Sequence, residues 1–105
     1  MQLEIDADKF EQHQQILLRE MIEQIRFKLA AAGYNGDKLK EVTGEIAFSV
    51  ASTIDDMAKI EFEGTEVCPY LTFRTDDTQL IHCGENSYMN EFVASLMNEV
   101  FDKQS

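Results

Sequence analysis

Residues 59–63 read Lys59-Ile60-Glu61-Phe62-Glu63, polar and apolar side chains in strict alternation. Period two is the signature of a half-buried strand. Ahead of this stretch, from about residue 7 to Ala58, apolar residues recur every three or four positions, as in helices. The change of period at Lys59 therefore divides the chain into a helical first half and a strand-bearing second half.

Working forward, Gly64-Thr65-Glu66 reads as a turn and Val67 to Arg74 as the next strand. Leu71 and Phe73 fall on one of its faces, and Cys68, Tyr70 and Thr72 on the other. Pro69 has no N–H to give a ladder, which places it at the start of a strand or on an edge. Thr75-Asp76-Asp77-Thr78 is a turn, and Gln79 to Cys83 a third strand. The short connections predict a three-stranded antiparallel meander. Gly84 to Ser87 breaks the sheet, and Asn86 or Ser87 can cap a last helix. Its stripe is Met89, Phe92, Val93, Leu96 and Val100, ending near Asp102.

Working backward, the second helix is expected from about Asp37 to Ala58. Leu39, Val42, Ile46, Val50 and Met57 form its stripe, and Ala47, Ala51 and Ala58 form a flank open to close approach. Gly33-Tyr34-Asn35-Gly36 makes a tight link to a first helix running from about residue 7 to Ala32. Phe10, Leu17, Leu18, Met21, Ile22, Ile25 and Leu29 share one broad face of that helix. Gly33 suits a left-handed C-terminal cap. At the other end Asp6 and Asp8 compete as N-cap. Two long helices joined so tightly form an antiparallel hairpin. Met1, Leu3 and Ile5 alternate with polar residues, which permits a short strand or a lead-in. The fold class expected is α+β: a single domain over residues 1–105 in the order α-α-β-β-β-α. Its parts are a two-helix hairpin, the meander and a C-terminal helix, with room for a short N-terminal strand.

Twenty acidic residues face nine basic ones, for a formal charge of −11. Residues 1–36 are nearly balanced, with six acids and four bases, so the surplus lies beyond them. Phosphate contacts need a positive surface, so direct binding to nucleic acid and docking on an anionic membrane are not expected. An acidic surface serves solubility, or it complements a basic partner and speeds encounter with it. The N-terminus shows no charged and apolar leader, and two cysteines make no disulfide framework. A cytoplasmic, reduced protein is the expectation.

Motifs for chemistry are few. His82 and Cys83 are neighbours on a predicted strand and so point to opposite faces, a poor start for a metal site. With Asp76-Asp77 as a two-residue loop, Phe73 would pair with Leu80 and Tyr70 with Cys83. Cys68 would then lie diagonally across from Cys83. A redox pair is geometrically open, and two buried thiols are the favoured reading. Nearby carboxylates work against a thiolate nucleophile. Asp76 and Asp77 suit a turn without any catalytic role. Asp55 and Asp56 end the second helix, where they oppose its dipole and should therefore sit in solvent. Neither a phosphate-cradling loop nor a nucleophile elbow occurs. No cofactor is expected.

More informative are apolar residues off the core stripes. Ile16 and Phe27 lie opposite Ile25 on the first helix, and Phe48 lies away from the stripe of the second. A helix with two apolar faces is sandwiched between layers or meets a partner. The expectation is a non-enzymatic domain that binds a basic protein, of inhibitor, immunity or regulatory type, with a nucleic-acid mimic as a sub-case. Ile16, Phe27 and Phe48 would supply affinity, and Asp55, Asp56, Asp76 and Asp77 charge. One alternative is a self-associating homodimer with Ile16 and Phe27 in its seam. Another is a small enzyme or redox protein using Cys68 and Cys83.

Overall fold

In the computed structural model, which describes residues 1–102, the α+β class and the expected element order hold. Strand β1 (Gln2–Ile5) leads into helix α1 (Ala7–Ala31), then α2 (Gly36–Ile54). A hairpin of β2 (Ile60–Phe62) and β3 (Thr65–Val67) follows, then β4 (Phe73–Asp76) and β5 (Gln79–His82). A 3-10 turn over Met89–Phe92 runs into helix α3 (Val93–Asp102).

The caps explain the helix boundaries. Asp6 wins the N-cap of α1: its carboxylate accepts from the Lys9 N–H at 3.1 Å. At the far end the Gly33 N–H donates to Ala30 and the Tyr34 N–H to Leu29, both at 3.0 Å, with Gly33 at φ +106°. This is a Schellman closure, which needs a left-handed residue where glycine stands. The same motif stops α2 earlier than its apolar pattern suggests. The Asp56 N–H donates to Thr53 and the Met57 N–H to Ser52, with Asp56 itself left-handed at φ +60°.

The three helices form the main core. Leu18 and Ile22 of α1, Ala47 and Ala51 of α2, and Leu96, Met97 and Val100 of α3 are buried together. The face that α2 buries is the small one, Thr43, Ala47 and Ala51. Of its expected stripe, Leu39 and Val42 are half-buried, while Ile46 and Val50 face outward, 36 % and 39 % exposed. The reason is proximity. A Cβ on Gly44 would lie 3.3 Å from Met97 Cε, so α3 sits too close to admit larger side chains on that flank. Arg19 pairs with Glu99, and Arg26 lies over the Phe101 ring at 4.7 Å, fixing α3 against α1.

The strands do not form one meander. They divide into a three-stranded sheet, β1-β5-β4, and the separate β2-β3 hairpin. The expected strand over 67–74 breaks in two because Pro69 cannot continue the ladder; Leu71 packs on the helical core instead. β1 fills one side of β5 in parallel, Leu3 opposite Leu80, and β4 fills the other side antiparallel. Phe73 pairs with Ile81 rather than with Leu80, across an irregularity between Arg74 and Asp76. The sheet leans on the start of α1, where the Phe10 and Phe73 rings lie 5.3 Å apart.

Candidate functional site: an acidic apolar groove

Between α2 and α3 runs a groove of about 550 Å³ whose walls are mainly apolar. Gly44 and Phe48 come from α2, and Val93, Ala94 and Met97 from α3. The close approach at Gly44 forms its floor, and Phe48, 51 % exposed, stands as one wall. Glu45 and Glu91 also line it, and among the described residues no lining residue is cationic. An apolar trough lined also by two carboxylates accepts an apolar anchor carried beside a positive charge.

The structure does not gather Ile16, Phe27 and Phe48 into one patch. Ile16 is 61 % exposed in a mostly polar hollow between α1 and α3, across α3 from the groove. Phe27 is 67 % exposed and lines a separate small hollow with Glu23, Arg26 and Ala30. Of the three, Phe48 faces the most apolar cavity.

The acidic candidates divide as well. Asp55 is not in solvent: it is 2 % exposed. Its carboxylate accepts from the Ser87 hydroxyl, from the Met89 N–H at 3.1 Å, and from Asn90 through both the backbone N–H (2.8 Å) and Nδ2 (2.7 Å). The expectation weighed only the dipole of its own helix. The start of the segment leading into α3 lies against it and supplies the free N–H groups of an N-terminus. Asp56 is the left-handed cap residue beside it. At the β4–β5 turn, Asp76 accepts from the Thr78 N–H at 2.7 Å and the Thr78 hydroxyl at 2.9 Å. These bonds hold its carboxyl below the usual carboxylate range. Asp77 is exposed beside it.

The thiols are not the two buried groups expected. Cys68 is exposed and Cys83 is half-buried, and both are free. The register that would set them diagonally across a ladder is absent, since β3 ends at Val67 and β4 begins at Phe73. Tyr70 meets His82 instead, its hydroxyl 2.6 Å from Nδ1, and the Gly84 N–H donates to the same nitrogen at 3.3 Å. Among the described residues no three His, Cys, Asp or Glu side chains converge as a metal site, and no helix is long and apolar enough to cross a membrane.

Two buried polar groups escaped the sequence reading. Gln14 is fully buried, and its Oε1 accepts from the Tyr88 N–H at 3.1 Å. Thr43 is fully buried with no partner for its hydroxyl among the described residues. Neither breaks the helical pattern around it, so periodicity gave no signal. No protein-family model, curated protein or solved structure matches this chain.

Proposed function

We propose that this chain is a protein-binding domain of inhibitor, immunity or regulatory type. It takes an apolar anchor from a basic partner into the groove between α2 and α3. The observation that carries the reading is Phe48, half exposed on a mainly apolar groove that Glu45 and Glu91 also line. The net charge of −11 steers a basic partner toward the domain, and the groove supplies the short-range affinity. A nucleic-acid mimic is the special case in which that partner is a nuclease or DNA-binding protein. Binding rather than catalysis is supported by the occupations of two acids: Asp55 caps a helix segment and Asp76 closes a turn. The two free thiols suit a reducing compartment such as the cytoplasm.

The test is a comparative capture from host lysate at low and high salt, with wild type, Phe48→Glu and the double variant Glu45→Lys, Glu91→Lys. A single basic protein held by wild type, weakened by salt and weakened about tenfold or more by Phe48→Glu, is expected of a groove anchor. A partner held equally by all three proteins sinks the groove.

A further inference from the structure

The groove between α2 and α3 has a direction. Gly44 faces Met97, and the Asn90 N–H bonds the Asp55 carboxylate at 2.8 Å. The two helices therefore run antiparallel along the groove. Glu45 follows Gly44 in the chain and Glu91 follows Asn90, so the two carboxylates join the lining from opposite ends. The stretch of α2 from Glu45 to Asp55 is about 15 Å long, which sets the scale of their separation. Both glutamates are exposed. The salt bridges engage Glu41, Glu61, Glu66, Glu99 and Asp102, so neither Glu45 nor Glu91 has a cation among the described residues.

The surface along the groove is apolar: Phe48 is half exposed, Ala94 is exposed, and Val93 and Met97 are buried in the walls. Those walls are helical. The backbone groups of residues 44–49 are bonded within α2. An extended segment laid there finds no ladder to join and leaves its own N–H and C=O groups against an apolar surface. A helix arrives with its backbone already bonded.

We propose that the segment taken from the basic partner is an amphipathic helix, an inference that rests on the groove being the protein-binding site. The helix sets apolar residues at i+3 and i+4 on Phe48 and Ala94, and a lysine or arginine at i and i+7. Those two positions lie roughly 11 Å apart along the helix, and long side chains bridge the remaining distance to Glu45 and Glu91. The apolar residues supply the affinity. The two carboxylates fix the register, since exposed ion pairs contribute little energy but place charge against charge.

The probes are two synthetic peptides of one composition, titrated onto the full chain. Binding is read by fluorescence anisotropy and peptide helicity by circular dichroism. The first peptide carries lysine, leucine, leucine and lysine at i, i+3, i+4 and i+7. The second carries them at i, i+2, i+4 and i+6, along one face of a strand. The first should bind about tenfold more tightly, become helical on binding, and lose about tenfold with Phe48→Glu. Glu45→Lys should weaken it, and a glutamate replacing one terminal lysine, but not the other, should restore it. Glu91→Lys should be restored by the opposite replacement. All three positions are exposed, and unchanged protein helicity confirms that the variants fold. Equal binding of the two peptides overturns the helix, and so does binding of neither at millimolar concentration. If the lysate capture still yields a partner lost with Phe48→Glu, the helix alone falls. A capture indifferent to Phe48→Glu removes the groove itself.

Discussion

Asp55, at the C-terminal end of α2, holds the backbone N–H of Asn90 at 2.8 Å, so one helix ends by capping the start of the next helical segment. The same carboxylate also takes the Met89 N–H and the Ser87 hydroxyl. Its removal leaves several buried donors unpaired at once. Each buried donor without a partner costs about 1–3 kcal/mol. Asp55→Ala should destabilise the domain by about 3 kcal/mol or more, and Asp55→Asn, which keeps one acceptor oxygen, by less. Urea unfolding followed by circular dichroism measures both. A shift below the ordinary surface range, roughly 0.5 kcal/mol, contradicts the cap.

Asp56 occupies a left-handed position that most side chains resist. Asp56→Gly should stabilise by about 0.5–1 kcal/mol, because glycine adopts that conformation without steric cost. A melting temperature raised by a few degrees is the expected reading, and an unchanged one refutes the assignment of the motif.

Thr43 buries a hydroxyl with no partner among the described residues. Thr43→Val keeps the shape and removes the unpaired group, so stability should rise by about 1 kcal/mol. Destabilisation instead means that the hydroxyl has a bonding partner, such as a bound water.

Asp76 is held below the usual carboxylate range by the Thr78 N–H and hydroxyl. A depressed folded-state pKa contributes stability that is fully present above the unfolded value, about 3.9. That contribution is lost as pH falls through the folded value. Wild type should therefore lose more stability than Asp76→Asn between pH 5 and 2, as read by urea midpoints. Parallel curves count against the turn bonds.

Exposure separates the thiols. Cys68 should react with a thiol reagent in the native state well before the half-buried Cys83, whose sulfur lies 3.1 Å from the Glu85 carbonyl oxygen. Cys68→Ser should abolish the fast phase. Equal rates for both thiols refute the difference in burial.

Local signals read well from the residues. The Gly33 closure, an aspartate cap at residue 6 or 8 and the strand at residues 60–62 each rest on neighbours in sequence, where backbone preference decides. What failed to show in the sequence depends on distant partners. β1 pairs in parallel with β5, across most of the chain, and nothing in Gln2–Ile5 points there. For Asp55 the dipole of its own helix predicts solvent exposure, while the donors that hold it come from residues 87–90. Ile46 and Val50 of the α2 stripe face outward because α3 packs on the smallest residues, not the largest. Phe48 was marked out by its place off the stripe, but its groove appears only once α3 lies alongside.

The partnership of β1 with β5 also sets an order of assembly. The helical hairpin joins residues close in sequence and can form as soon as it leaves the ribosome. The first strand has no complement until residues 79–82 have been made. Closing so long a loop costs entropy that only the finished sheet offsets. Strand β1, though made well before β5, is thus among the last segments to find its place. Disrupting Gln2–Ile5 acts on the closing step of folding and leaves β5 with one side open to pairing with other chains.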